Sequence, residues 1–293
     1  MTITHLTRPG GRRVALHDLT PDAPADAPVV LFCHIAPGSG RFDPDPAATA
    51  ASGVRLIALD RPGYGRSDPV GPSEFATVGV AADDAVAALE SVLAPGTRAR
   101  IAGWSAGGRV ALAAAARRPD LVGAVAVIGT PAPDEEVPWI PEEYNAVLAA
   151  LRDASAEKAH AELSAAFAPM LASLTGDARF GLLGVADADA AVLAVPGVAD
   201  RLRAMIELTL AQGDTGMIAD LAGYTLRPWG FDPADVAAPV LLGYGAADFV
   251  GPQHGEWWQK KVQNGTLEIV PDVGHLLVVR FWERALAHLR SAG

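Results

Sequence analysis

Cysteine is nearly absent: Cys33 is the single one in 293 residues. One thiol excludes an intramolecular disulfide framework and a cysteine-built zinc site. Lying in an apolar run beside His34, Cys33 reads as a small buried residue rather than a nucleophile. No run of about 18 apolar residues is present, so no membrane-spanning helix is expected. The first residues, Met1-Thr2-Ile3-Thr4-His5, lack a basic segment followed by an apolar one. No signal peptide is read there, and the expected location is cytoplasmic. Positive charge is also short: 23 Lys and Arg stand against 34 Asp and Glu, a formal net charge of -11. That balance argues against nucleic acid and against anionic membrane surfaces as partners, leaving a small molecule as the expected one. What is abundant is apolar residue, 50% of the chain, enough for a large core in one domain with an insertion or in two modest domains.

Residues 2–7 and 12–19 flank Pro9-Gly10-Gly11 and predict a hairpin. The runs 29–34, 54–60, 99–102 and 121–128 are largely apolar, as strands buried on both faces are. Helical patterns over 75–93, starting at Thr77, and over 110–116 alternate with them. Strand–helix alternation predicts a mostly parallel sheet with helices on both faces. Ligands in such sheets bind beyond the carboxyl ends of the strands, and His34, Asp60, Ser105 and Gly129 fall at those ends. From Pro133 to about Pro233 the pattern changes to alanine-rich helical segments at 141–152, 155–171, 198–212 and 217–224. Strands return at 239–244 and 266–270, with helices at 253–262 and 276–290. The expected organisation is therefore a core of residues 1–132 and 234–293, with a helical cap, 133–233, inserted at a strand's carboxyl end. Oligomeric state is left open between monomer and homodimer.

Gly103-Trp104-Ser105-Ala106-Gly107 has the spacing G-x-S-x-G between a strand and a helix. This is the pattern of a nucleophile elbow, in which a tight turn lifts a serine hydroxyl above the sheet. A serine hydroxyl needs a base, and the base an orienting acid. Asp248 and His275 each follow a late strand, and the chain order Ser105, Asp248, His275 is the one expected with such an elbow. Asp272 is the second choice for the acid. Asp60 precedes the serine and is assigned to its own turn, with Arg61 or Arg66 as partners. His5, His17, His160, His254 and His288 fall in the N-terminal segments, the cap or helices expected at the surface. Oxyanion donors are expected from the Ala106 amide, at a helix start, and from the loop after His34, with Ala36 first and Ile35 the alternative. No metal or cofactor is required.

On these residues the chain resembles the α/β-hydrolase superfamily over nearly its full length. The matching pieces are His34-Ile35-Ala36-Pro37-Gly38, Asp60-Arg61-Pro62-Gly63-Tyr64-Gly65-Arg66-Ser67, Gly103-Trp104-Ser105-Ala106-Gly107, Gly245-Ala246-Ala247-Asp248 and Val273-Gly274-His275. The resemblance implies an eight-stranded, mostly parallel sheet, a Ser105–His275–Asp248 triad and a cap that sets specificity. It implies hydrolysis of a small-molecule ester or related acyl bond through an acyl-enzyme. Relatives usually carry glycine where Ile35 stands, and a β-branched residue resists a positive backbone angle, so a different loop path is expected there.

The same triad serves proline-iminopeptidase-like aminopeptidases, carbon–carbon bond hydrolases and thioesterases. Some relatives are ligand receptors or cofactor-independent oxygenases. An aminopeptidase needs cap carboxylates for the substrate ammonium. Glu142, Glu143, Glu157 and Glu162 are available, against a plainer reading as a solvated helix face. Dehalogenase and epoxide-hydrolase relatives carry aspartate at the Ser105 position. Trp104, Ile35, Trp139 and Tyr144 are the candidate pocket walls; Trp104 has the competing role of packing under the elbow. Phe167, Met170, Phe180, Met205 and Met217 read as core between cap and sheet, and Trp229, Trp257, Trp258 and Trp282 as packing.

Overall fold

The computed structural model describes residues 1–291. Eight strands form one sheet: β1 (Thr2–Thr7), β2 (Arg13–Asp18), β3 (Val29–Cys33), β4 (Arg55–Leu59), β5 (Ala99–Trp104), β6 (Val122–Ile128), β7 (Val240–Gly245) and β8 (Gly265–Val270). Their order is β1-β2-β4-β3-β5-β6-β7-β8. The hairpin β1–β2 is antiparallel and joins β4 antiparallel, and β4 through β8 run parallel. The expected eight-stranded, mostly parallel sheet is what forms.

The strand residues alternate between two apolar layers, as the two-residue side-chain period requires. In β3, Val29, Leu31 and Cys33 face one layer and Val30 and Phe32 the other. The first layer is closed by α2 (Val78–Val92), α3 (Ala106–Arg117) and α9 (Pro252–Lys261). Thr77 caps α2 by accepting from the Val80 amide at 3.2 Å, the start read from the sequence. The second layer is closed chiefly by α10 (Leu277–Ser291), braced by α1 (Pro46–Ser52) through a 2.8 Å bond from Trp282 Nε1 to Thr49 Oγ1. The sequence pattern did not predict α1, whose stretch is short and alanine-rich. Asp45 starts it by accepting from the Ala47 and Ala48 amides.

Between β6 and β7 the chain makes α4 (Glu142–Leu151), α5 (Ala156–Ser173), a 3-10 stretch (Gly176–Leu183), the short α6 (Ala190–Leu193), α7 (Val198–Thr209) and α8 (Thr215–Thr225). This helical excursion has two parts. Val198, Leu202, Met205 and Ile206 of α7 pack into the second layer of the main core. Leu148, Leu151, Ala159, Leu163, Ile218, Ala222 and Leu226 form a small cluster of their own. Among the described residues, no helix is long and apolar enough to cross a membrane.

Candidate active site

Ser105 follows the last residue of β5 and precedes the first of α3. Its backbone sits at φ 54, ψ -123, a region that costs a non-glycine residue on the order of 1–3 kcal/mol. The surroundings enforce this. Ser105 N donates to the Ile128 carbonyl at 2.8 Å, and Thr130 Oγ1 donates to the Ser105 carbonyl at 2.8 Å. A Cβ on Gly107 would collide with the carbonyls of Cys33 and His34, and one on Gly103 with the Gly107 backbone. The two motif glycines are thus required by close approach of α3 to β5 and β3.

His275 and Asp248 meet as the chain order implied. His275 Nδ1 donates to Asp248, 2.8 Å from Oδ2 and 3.0 Å from Oδ1, and both side chains are essentially sealed from solvent. With Nδ1 protonated, Nε2 is the free lone pair; it is buried and has no hydrogen-bond partner. Ser105 and His275 border one cavity of about 200 Å³, together with Ile35, Ala36 and Ala106. Among the described residues the Ala36 and Ala106 amides donate to no protein acceptor, and Ala106 is the first residue of α3, where the helix potential is positive. Asp272 lies exposed at φ 52 and does not approach His275 Nδ1.

The loop after β3 borders the cavity through Ile35 and Ala36. Ile35 is not among the residues of positive φ, and its side chain is buried against Trp104 and Phe42 in the second layer while still bordering the cavity. The Ala36–Pro37 peptide is cis. His34 Nδ1 donates to the Ile35 carbonyl at 2.7 Å, and its Nε2 accepts from the Arg61 amide at 3.2 Å.

Two candidate pocket walls are corrected. Trp104 does not border the cavity: it is fully buried, and its Nε1 donates to the His275 carbonyl at 3.0 Å, so it supports the histidine loop from below. Tyr144 does not border it either; its ring stacks on Phe167 at 5.3 Å within the helical excursion. Ile35 and Trp139 do border it. Asp60 holds its turn through the Arg66 and Gly40 amides, and its side-chain partner is His17, at 2.9 Å, not Arg61. His254 is fully buried rather than superficial, and His17 in the N-terminal hairpin is buried as well. Cys33 is buried, and desolvation pushes its thiol up to about 12, consistent with an inert packing role.

Four residues escaped the sequence reading. The Phe249 ring centre lies 4.8 Å from that of His275, tilted 43° to it, and Phe249 borders the cavity; it follows Asp248 but lies in no pattern that marks it. Asp189, fully buried, accepts from the amides of Gly274, His275 and Leu276 at 3.1, 3.1 and 3.0 Å, fixing the histidine loop just before α10. Asp220 pairs with Arg61 at 2.6 Å, and Arg61 donates to the carbonyls of His34 and Ile35. Arg109, one turn after Ser105, borders the cavity and is 2% exposed. For Asp220 and Arg109 a signal existed: each is a lone charge in an otherwise apolar helical run.

With this geometry in place, comparison with known proteins is informative. A family model described as alpha/beta hydrolase fold matches residues 28–280. The chain belongs to that family. Comparison with curated proteins finds no match. Solved structures similar to it include an esterase, RhEst1, from Rhodococcus sp. ECU1013 (19% identity, 99% of this chain and 98% of that one, TM-score 0.65). Others are a bromoperoxidase from Bacillus anthracis (17%, 98% and 98%, 0.67) and an alpha/beta hydrolase fold protein from Nakamurella multipartita (22%, 100% and 100%, 0.63). At these identities the likeness is one of fold.

Proposed function

We propose that the protein is a serine hydrolase that cleaves a small-molecule ester through an acyl-enzyme. The observation that carries this reading is the His275–Asp248 pair, whose free Nε2 borders the same small cavity as a serine held at positive φ. Ser105 Oγ attacks the ester carbonyl while His275 Nε2 takes its proton. Asp248 keeps Nδ1 protonated and stabilises the imidazolium. The amides of Ala36 and Ala106 receive the oxyanion, with the α3 N-terminus adding favourable potential. The imidazolium then protonates the leaving alcohol, and His275 activates water to release the acid. The excursion 133–233 serves as the cap: Trp139, Phe167, Leu182, Leu183 and Met217 close the cavity from that side.

Nothing in the cavity favours an aminopeptidase. Glu142, Glu143, Glu157 and Glu162 are all exposed, and none borders it. The esterase reading is supported further by esterases among the solved structures of the same fold.

The test pairs wild type with Ser105→Ala on a short and a long p-nitrophenyl ester. Wild-type turnover, falling by a factor of about a thousand or more in the variant with an unchanged circular dichroism spectrum, is expected. Retention of wild-type activity by Ser105→Ala removes the serine from the mechanism.

A further inference from the structure

Of the charged side chains bordering the cavity, Arg109 alone lacks an ion-pair partner among the described residues. Asp220 is paired with Arg61, and Asp248 borders the site through His275. Arg109 has no such employment. It stands on α3 four residues after Ser105, its side chain leaning toward the helix N-terminus, and both residues border the cavity. Its Nε and Nη2 both donate to the Pro131 carbonyl, at 3.3 and 3.1 Å. Its guanidinium carbon lies 4.3 Å from the Trp229 ring centre and 5.5 Å from that of Trp139. Among the described residues, Nη1 has no acceptor and no carboxylate pairs with the group. The two carboxylates whose charge reaches it are otherwise engaged. Asp220 holds Arg61, and Asp134 Oδ1 accepts from the Trp139 and Ile140 amides.

A guanidinium that is nearly sealed, flanked by aromatic rings and lacking a counter-ion is costly, because a buried charge is normally paired. Burial lowers its pKa to about 10, which still leaves it protonated at neutral pH. A neutral side chain could donate to one carbonyl at lower cost, so the Pro131 contact does not account for the charge. Arg109 also occupies a junction. It borders both the Ser105 cavity and an outer cleft of about 960 Å³, which share Trp139, Tyr224 and Thr225.

We propose that Arg109 is a recognition site for a carboxylate carried by the substrate, so that the preferred ester is a small one bearing a free carboxylate, such as a monoester of a dicarboxylic acid. The ester carbonyl lies at Ser105, and the carboxylate reaches the guanidinium a helical turn away. The planar fork of arginine suits a carboxylate, and the flanking tryptophans hold the fork flat. This rests on the serine-esterase reading, and the test separates the two.

Binding is measured by calorimetry on the Ser105→Ala variant with monomethyl glutarate and with its neutral counterpart, dimethyl glutarate. The monoester is expected to bind about tenfold tighter or more, the size of one charge-assisted contact. Adding Arg109→Gln is expected to erase that preference, and Arg109→Lys to keep part of it. Equal affinity for the two esters, no measurable binding of the monoester, or a preference that survives Arg109→Gln overturns the proposal. Should Arg109→Gln not fold, the monoester-to-diester ratio in the Ser105→Ala protein decides alone. Turnover by wild type is scored separately. Arg109-dependent binding of a monoester that wild type never cleaves upholds the carboxylate site and rejects the esterase reading.

Discussion

The helical excursion supplies one buried carboxylate to each half of the candidate machinery, and the two work differently. Asp189 reaches the base side. It accepts directly from three consecutive backbone amides around His275 and, among the described residues, has no cationic partner. Asp220 reaches the loop after β3, and does so through Arg61, whose guanidinium donates to the carbonyls of His34 and Ile35. Burial raises the pKa of both carboxyls above the usual carboxylate range, and the amides around Asp189 and the Arg61 charge beside Asp220 oppose that rise. The difference follows from the groups being held. The turn before α10 presents three consecutive N–H groups to one point, for which a carboxylate alone suffices. A loop that must aim its amides at substrate turns its carbonyls the other way, and only a donor can hold those. The chain therefore interposes an arginine.

The comparison can be broken most forcefully at Asp220. Asp220→Ala leaves Arg61 buried without a counter-charge, a change that typically costs about 3–5 kcal/mol. Chemical denaturation should show a loss of that order together with a large fall in ester turnover. A variant of wild-type stability would mean that Arg61 finds another partner. At Asp189 the expected cost is smaller. Asp189→Asn retains one acceptor oxygen and should lose about 1–3 kcal/mol. Its kinetic signature is sharper: kcat should fall about tenfold or more with KM within twofold, because the binding walls are untouched while the base is loosened. Equal loss in kcat and rise in KM would place Asp189 in general packing instead. The mildest effect belongs to His254, which accepts from the Ala132 amide where the chain leaves the sheet for the excursion. Burial, aided by the Arg109 charge, pulls this imidazole down to about 4, below its ordinary 6.5. The unfolded chain binds the proton first, so the stability contribution is full above pH 6.5 and drains away as pH falls toward 4. His254→Asn should leave stability near wild type at pH 7 and flatten its decline across that window, measured by thermal melts at intervals of pH. An unchanged slope would exclude His254 as a contributor.

Much of this was legible in the sequence, and particular residues show why. The sheet could be read because buried parallel strands are continuous apolar runs, and because their carboxyl ends carry the residues that break regularity. Ser105, Asp248 and His275 all stand at such ends, so the fold alone gathers them. The helical excursion between β6 and β7 was equally visible, as a change from strand–helix rhythm to helical pattern. What stayed hidden were pairings with no local signature. Asp189 sits in Asp187-Ala188-Asp189, a stretch indistinguishable from a solvated loop, and its partners are backbone amides 85 to 87 positions away. Asp220 and Arg61 are 159 positions apart. Trp104 was placed beside the serine correctly by number, but the strand pleat turns its ring under the sheet's edge, where it meets the His275 carbonyl rather than the cavity.

Ordinarily a lid over such a site is regarded as an interchangeable module, to be traded between relatives when a new substrate is wanted. Here the bonds from Asp189 to residues 274–276 make that exchange hazardous. A donor segment lacking a carboxylate at that point would unfasten the loop that carries His275. For this chain, the graft that preserves activity is one that carries the two aspartates across and varies only the helices between them and solvent.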